Sequence, residues 1–243
     1  MRILLILYNY IVDKICLAFF SIFNMIHLGF KGHILMYHNF IIDGLEDTCT
    51  CSIERFNNHV KEIQKKNIDF ISIDKMLDII KSNEKTSEFV VVSFDDAYES
   101  VYTLAYPLLK LSKIPFVIYQ SVGLLDKDKY LKSWQIDEML KSGLCTLASH
   151  GMTHKMLSKM SRQDIECEMK KSKEILEDRF GVSVKHFAYP YGKLYSVGFT
   201  APKIASKYYD SAVVTIPTRL NYLSKINNYL LSRVVLDFNY SKI

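Results

Sequence analysis

Continuous apolar runs separated by amphipathic stretches constrain the fold of this chain more than any other feature. Residues 89–94 read FVVVSF, and such an unbroken run is typical of a strand that is buried on both faces of a parallel sheet. Similar strands are expected at residues 33–36, 114–119, 144–148, 184–189 and 211–216. Because helical patterns lie between them, the alternation predicts an α/β fold with a parallel sheet, which is either a barrel or an open doubly wound sheet.

Capping signals mark the expected helix boundaries. Ser52 can cap a helix over residues 53–66. Ser161 and Asp164 resemble a capping box, and Gly181 is the expected end of the helix that follows. Further helices are expected from Asp74 as a cap to residue 80, between the strand at 89–94 and about residue 112, and at 134–141.

The composition indicates a globular protein and gives no sign of nucleic-acid binding. Of the 243 residues, 49% are hydrophobic and only five are proline, which is unlike a disordered chain. A net charge of +5 would favour an anionic partner, such as a phospholipid surface or a phosphate-bearing substrate. We find no Lys/Arg-rich run, RNA-binding aromatic motif or zinc-finger spacing, so no nucleic-acid partner is predicted. The five cysteines are too sparse for a disulfide scaffold.

Residues 1–31 differ from the domain expected over residues 32–243. Two apolar stretches flank Asp13 and Lys14, and the second one, residues 15–30, contains no Asp, Glu, Lys or Arg. At about 1.5 Å per residue, that stretch is shorter than the ~30 Å hydrocarbon core of a bilayer. We predict a hydrophobic, membrane-associating segment, which is either a spanning anchor or helices lying in the interface. A signal peptide and a buried helix pair are the alternatives. The predicted localisation is membrane-associated, with the side of the membrane left open.

Residues suited to metal chemistry follow two of the predicted strands. In a parallel α/β protein, the carboxyl ends of the strands carry the site. Asp95 and Asp96 follow FVVVSF, and two adjacent carboxylates point in different directions, so that one can bind a metal while the other takes a proton. His150 and His154 follow another strand, and their i, i+4 spacing allows both imidazoles to chelate one ion.

Two further strand ends carry features of the same kind. His38 ends the first strand, and Pro190 and Gly192 impose a sharp turn that can aim a backbone N–H into a cleft. Each feature has an ordinary structural alternative: a helix-capping pair of aspartates, a chance pair of histidines, a core histidine or a plain exit from a strand. Taken together, one carboxylate and two imidazoles make a three-ligand metal site with open positions for water and substrate.

Three segments resemble the motifs of the NodB-type polysaccharide deacetylases, carbohydrate esterase family 4. SFDDA at 93–97 is similar to TFDDG, SHGMTH at 149–154 to H-[ST]-x-x-H, and FAYPYG at 187–192 to R-x-P-[YW]. WQIDEMLKSG at 134–143 is also similar to members of the family. The resemblance runs from about residue 33 to about residue 236. It implies a distorted (β/α) barrel that holds a divalent metal, usually zinc.

The resemblance also implies a role for each matching residue. Asp96, His150 and His154 would hold the metal. Asp95 would be the general base that acts on water, and the backbone N–H of Tyr191 would help to hold the oxyanion. A preorganised donor at an oxyanion contributes roughly 3 kcal/mol.

The chain departs from the usual pattern at three places. Ala97 replaces the glycine of the first motif. Ala188 stands where the third motif has the arginine that braces the catalytic aspartate. The C-terminal leucine-histidine motif, which normally supplies the general acid, is missing, since His186 is the last histidine of the chain.

A permuted branch of the family, the exopolysaccharide deacetylases, takes its acid histidine from an N-terminal strand that reads like YH. The sequence MYH at 36–38 matches that pattern and makes His38 the candidate acid, which would protonate the leaving amine. Arg233, in LSRVV near the end of the chain, is the candidate brace for Asp95 because of its place on the last strand.

These inferences predict a metal-dependent hydrolase that removes the N-acetyl group from an amino sugar. The hydrophobic segment at residues 1–31 favours a sugar on a membrane lipid carrier as the substrate. The alternatives are N-deacetylation of a polymer such as exopolysaccharide or peptidoglycan, removal of a formyl group, and a non-catalytic carbohydrate-binding protein. The presence of the five residues that the roles require argues against the last alternative.

Overall fold

The computed structural model describes residues 32–82, 87–216, 220 and 227–235 of the chain. The membrane-associating segment predicted at residues 1–31 lies outside the described residues, and its role stays a prediction. Within the described residues, no helix is both long enough and apolar enough to cross a bilayer.

Parallel strands dominate the described part of the chain. A curled sheet contains β1 (Gly32–Tyr37), β4 (Asp69–Phe70), β5 (Phe89–Asp95), β6 (Phe116–Gln120), β7 (Cys145–Ser149), β8 (His186–Ala188), β9 (Ser211–Val213) and β10 (Val234–Val235). Its order is β10-β1-β5-β6-β7-β8-β9, and β4 pairs with the first two residues of β5. A small separate sheet pairs β2 (Asn39–Ile41) with β3 (Thr50–Ser52). Every strand predicted from the sequence is present, with its bounds shifted by a few residues.

The ends of the curled sheet are connected through the last described segment. Leu231 forms a parallel bridge with Val213 of β9, and Val234 of β10 pairs with Leu35 of β1. Residues 231–235 therefore contact both β9, at one end of the strand order, and β1, near the other end. The expected α/β fold is confirmed as a curled parallel sheet surrounded by helices.

Seven α-helices connect these strands in the described residues. They are α1 (Ile53–Lys65), α2 (Ile73–Ser82), α3 (Tyr106–Leu111), α4 (Ser133–Lys141), α5 (Arg162–Phe180), α6 (Leu194–Val197) and α7 (Thr200–Tyr208). A π-helical turn at Val101–Ala105 precedes α3, and 3-10 turns occupy Val122–Leu124 and Leu157–Lys159.

The helix caps follow the sequence signals with one exception. The hydroxyl oxygen of Ser52 accepts from the Arg55 N–H at 3.2 Å, and α5 ends at Gly181, whose φ is 65°. The expected cap at Asp74 is wrong. The Ser72 hydroxyl accepts from the N–H of Lys75 at 3.2 Å instead, because the helix begins two residues earlier than the pattern predicted.

Two apolar layers cover the two faces of the curled sheet. The inner layer joins side chains from all round the curl to α2, including Ile34, Val91, Val117, Tyr119, Ala148, Ala188, Val213 and Leu231. Ile73, Met76, Leu77, Ile79 and Ile80 of α2 belong to the same cluster, so α2 packs on this face of the sheet. Alternate residues such as Val90 and Val92 pack outward against the other helices. Each buried Val or Ile side chain contributes about 1.5–3 kcal/mol.

Candidate active site

Asp95 and Asp96 lie where β5 ends. Asp95 is the last residue of the strand and shares the inner face with Ser93 and Val91, because side chains alternate along a strand. Asp96 and Ala97 then adopt left-handed backbone conformations, with φ of 62° and 58°. The two carboxylates consequently have different partners.

Asp96 meets the two histidines that follow β7. Its Oδ1 atom lies 3.5 Å from Nε2 of His150 and 3.0 Å from Nε2 of His154. The three ligand atoms all lie within 4.8 Å of one another. Although this oxygen is buried, it has no partner with hydrogen-bond alignment in the described part of the chain.

A divalent metal fits this arrangement of side chains. Two imidazole nitrogens and one carboxylate oxygen are a typical donor set for catalytic zinc. A tetrahedral ion with bonds of about 2.1 Å needs ligand atoms that are about 3.4 Å apart, and the observed separations lie on either side of that value. Asp96, His150 and His154 can therefore hold a metal, and their role as ligands stays a prediction.

The backbone of β8 orients His150. Nδ1 of His150 lies 2.7 Å from the carbonyl oxygen of Ala188, to which a neutral ring donates its N–H. The ring is 1% exposed, and burial lowers its pKa against the opposing charges of Asp95 and Asp96. His150 is thus kept neutral, with the Nε2 lone pair free for an ion. Sequence reasoning missed this contact, because any residue at position 188 would supply the same carbonyl.

His154 is more accessible than His150. Its backbone is left-handed, with φ of 53°. Burial lowers the pKa of its imidazole, but the contacts with Asp96 outweigh burial and leave that pKa above its ordinary value. The Tyr191 ring lies 5.1 Å from the His154 ring, which places the turn after β8 at the edge of the same site.

Arg233 forms a bidentate ion pair with Asp95. Its Nη1 and Nη2 atoms donate to the two carboxylate oxygens at 2.5 and 2.7 Å. The guanidinium is fully buried and lies over the Tyr119 ring, 5.3 Å from the centroid. Burial raises the pKa of Asp95, but Arg233, followed by His150, outweighs this effect and holds that pKa well below its usual range. Asp95 is therefore ionised and rigidly oriented.

His38 lies beside the aspartates. Tyr37, the last residue of β1, pairs with Phe94 of β5. His38, which follows β1, therefore lies next to Asp95, the last residue of β5. The His38 side chain is also close enough to both aspartates to contribute to the lowering of the pKa of Asp95 and of Asp96. The structure thus brings His38 to the carboxyl edge of the sheet together with the candidate metal ligands.

The turn at Tyr191 and Gly192 packs closely against Thr215, which follows β9. A Cβ atom on Gly192 would lie 2.0 Å from Oγ1 of Thr215, and its φ is 66°, so only glycine fits there. Tyr191 itself has φ of 65° and is half-exposed. Within the described residues its backbone N–H donates no hydrogen bond. That N–H is available to a substrate oxygen.

The departures from the usual motifs have structural counterparts. Ala97 takes the left-handed conformation that glycine adopts freely, at a cost of roughly 1–2 kcal/mol. The small side chain of Ala188 packs on the inner face of the sheet, where Arg233 reaches Asp95 from the position just before β10.

Comparisons with known proteins agree with this geometry. The family model for polysaccharide deacetylases matches residues 82–207. A poly-beta-1,6-N-acetyl-D-glucosamine N-deacetylase of Staphylococcus aureus (strain MRSA252) is 29% identical over 156 residues, which are 58% of this chain and 53% of the relative. The chain therefore spans about half the length of the curated relatives it matches.

Solved structures show the same fold. The Streptococcus pyogenes deacetylase PplD, in complex with acetate, superimposes with a TM-score of 0.76 at 23% identity over 85% of this chain and 92% of the other. IcaB from Ammonifex degensii gives a TM-score of 0.76 at 21% identity over 87% and 93% of the two chains. Since the family model covers more than half of the sequence, and the curled sheet has the same fold as these deacetylases, the chain belongs to the polysaccharide deacetylase family.

Proposed function

We propose that this protein is a metal-dependent N-deacetylase that acts on a polymer of N-acetylated amino sugars. The observation that carries the proposal is the convergence of Asp96, His150 and His154 beside an ionised Asp95 that Arg233 holds in place. A metal site next to a carboxylate base is suited to the hydrolysis of an amide.

The polymer is preferred to the lipid-linked sugar that the sequence led us to expect. The lipid carrier was inferred from residues 1–31, which lie outside the described residues. The matched relative from Staphylococcus aureus is named for a polymer, poly-beta-1,6-N-acetyl-D-glucosamine. A chain of N-acetylglucosamine units is therefore the substrate class that we propose.

Each candidate residue has a separate task in this reaction. When bound, a divalent ion supplies Lewis acidity, which polarises the acetamide carbonyl and lowers the pKa of water. Asp95 accepts the proton of the attacking water, and the Arg233 ion pair keeps its carboxylate ionised and oriented. The backbone N–H of Tyr191 donates to the carbonyl oxygen as that oxygen gains negative charge. His38 donates a proton to the departing amine, a step that typically contributes 10²–10⁴-fold.

Mass spectrometry of defined substrates tests the proposal. Protein supplied with Zn²⁺ would be incubated with oligomers of β-1,6-linked N-acetylglucosamine and, separately, with a lipid-carrier-linked N-acetyl amino sugar. We expect loss of acetyl groups from the oligomers. Asp95→Asn should abolish that loss, and Asp178→Asn, an exposed position on α5, should leave it unchanged.

Other outcomes would redirect the proposal. Deacetylation of the lipid-linked sugar alone would favour the membrane substrate. No product from either substrate, together with no bound metal, would favour a non-catalytic carbohydrate-binding protein.

A further inference from the structure

The loop that joins the two candidate histidine ligands, residues 150–154, is irregular but is held firmly along one edge. Its carbonyl oxygens at Gly151 and Met152 accept from the N–H groups of Val122 at 3.0 Å and Gly123 at 2.8 Å. A Cβ atom on Gly123 would lie 2.7 Å from the Met152 oxygen, so the close approach requires glycine. The 3-10 turn after β6 thus fixes the carbonyl edge of the loop.

A single carboxylate on α5 holds the opposite edge. Oε2 of Glu168 accepts from the N–H groups of Met152 at 2.8 Å and Thr153 at 3.0 Å. Its Oε1 atom accepts from the Thr153 hydroxyl at 2.6 Å. Both oxygens of Glu168 are therefore bonded to the segment between the two histidines.

The surroundings of Glu168 indicate that its partner is the loop and not a cation. The side chain is 6% exposed and lies on the face of α5 that also buries Ile165 and Met169. Among the described residues Glu168 forms no ion pair, so these backbone and hydroxyl donors compensate for its burial. A buried carboxylate is costly unless it is hydrogen-bonded, and helix packing alone would be satisfied by an apolar side chain at this position.

We propose that Glu168 is the positioning residue of the metal site, which holds the loop so that the Nε2 atoms of His150 and His154 converge on one ion. The left-handed backbone of His154, with φ of 53°, persists because the hydrogen bonds on both sides of the loop enforce it. Removal of the residues that orient metal ligands typically lowers metal affinity 10–100-fold. This inference rests on the metal site of the proposed function.

Gly151 supports the same assignment. Its φ is 79°, and a Cβ atom there would lie 3.1 Å from Oε2 of Glu168. The absence of a side chain allows the carboxylate to approach the loop.

Three variants at two glutamates show whether Glu168 positions the loop at residues 150–154 or only stabilises the fold. Glu168→Leu removes all three hydrogen bonds. Glu168→Gln can retain them without the charge, because its amide oxygen can accept from the two N–H groups and its NH₂ group can donate to the Thr153 hydroxyl. Glu174→Leu, at an exposed position of the same helix, is the matched control.

Cobalt binding and amide exchange are the readouts. Titration of the full chain with Co²⁺, followed by visible absorption, should show affinity about 10–100-fold weaker in Glu168→Leu. Affinity should be within a few-fold of the wild type in Glu168→Gln and Glu174→Leu. In metal-free protein, hydrogen exchange of the Met152 and Thr153 amides should accelerate at least about tenfold in Glu168→Leu alone, because only that variant removes their acceptor.

The result that would overturn the proposal is wild-type Co²⁺ affinity and wild-type exchange in Glu168→Leu. If that variant does not fold, Thr153→Ala removes only the hydroxyl contact and should weaken Co²⁺ binding several-fold; unchanged binding and exchange would then overturn the proposal. Failure of the wild type to bind Co²⁺ would instead remove the metal site itself, and with it the proposed function.

Discussion

Two buried histidines lie near opposite ends of the short strand β8, and each faces an aspartate. At the carboxyl end, His150 contacts the Ala188 carbonyl through Nδ1 and lies 3.5 Å from Asp96 through Nε2. At the amino end, Nδ1 of His186 lies 2.9 Å from the Ser211 hydroxyl, and Nε2 lies 3.3 Å from Asp74.

The two histidine–aspartate pairs differ in the other side chains that surround them. The carboxyl-end pair has His154 as a third ligand and an ion-paired carboxylate, Asp95, beside it. In the described part of the chain, no third ligand that could complete a metal site joins His186 and Asp74. A histidine next to an aspartate is therefore not a site by itself. We expect chemistry at the carboxyl end of the sheet and only stability at the amino end.

Replacement of the two histidines by leucine tests this difference most directly, and the largest effect should come from His150→Leu. The variant loses one of three metal ligands, and with it several kcal/mol of transition-state stabilisation. Deacetylation should fall at least about 10³-fold, and Co²⁺ affinity should fall with it. Rates of acetate release and a Co²⁺ titration measure both quantities. Wild-type metal affinity in this variant would remove His150 from the site.

Arg233→Met should have the next largest effect on activity. The substitution leaves Asp95 buried without its cation, which we expect to lower deacetylation about 10–100-fold while Co²⁺ affinity stays within a few-fold. Losing one partner of a buried ion pair also typically costs 3–5 kcal/mol of stability. Deacetylation and Co²⁺ affinity should therefore be measured at temperatures below the unfolding transition.

Two companion variants control for that loss of stability. Arg233→Lys keeps the charge and should recover part of the activity. Arg162→Ala, at an exposed position on α5, should have no effect. Full activity in Arg233→Met would contradict the idea that the ion pair serves catalysis.

His186→Leu should change stability and leave the chemistry unaltered. The substitution leaves the buried Ser211 hydroxyl without its histidine partner, which costs about 1–3 kcal/mol. Urea unfolding measures this loss, and deacetylation rates well below the transition should equal those of the wild type. A lowered Co²⁺ affinity in this variant would show that the two ends of the sheet are coupled, and the comparison would break down.

Asp74→Asn should give the smallest effect, and that effect should depend on pH. The contact with His186, helped by the charges of Lys185 and Lys81, holds the pKa of Asp74 below its ordinary value. A depressed carboxyl pKa stabilises the folded state at pH values above the unfolded pKa, and this stabilisation is lost as the pH falls below about 4. Because Asp74 is half-exposed, we expect less than about 1 kcal/mol at pH 7.

Unfolding of wild type and Asp74→Asn in urea, repeated from pH 7 downwards, gives this pH dependence. The difference between the two proteins should shrink as the pH falls. A difference that grew towards acid pH would contradict the sign of the shift.

Much of the framework could be predicted from the sequence. The apolar run at 89–94 predicted β5, because burial on both faces removes the alternation of an exposed strand. The ends of α5 were predictable because Ser161 and Gly181 act on neighbouring backbone groups. His150 and His154 were also recognisable, since both belong to one short loop.

Contacts between remote segments were less accessible to prediction. Arg233 and Asp95 are 138 residues apart, and only the place of Arg233 on the last strand suggested the pair. Ser72 instead of Asp74 caps α2, because Asp74 faces His186 from another part of the fold. Glu168 carries no motif signal, and its contacts become visible only when α5 packs beside the loop after β7.

The sequence by itself determined the strands, the ends of α5 and the residue types that can bind a metal, because these depend on burial patterns and on hydrogen bonds between near neighbours. Only the tertiary structure decided which aspartate pairs with Arg233, which carbonyl orients His150 and which carboxylate holds the loop at 150–154. These contacts join separate strands and helices. The order of strands in the curled sheet therefore decides which of these remote residues come close enough to bond, and no local sequence pattern encodes that order.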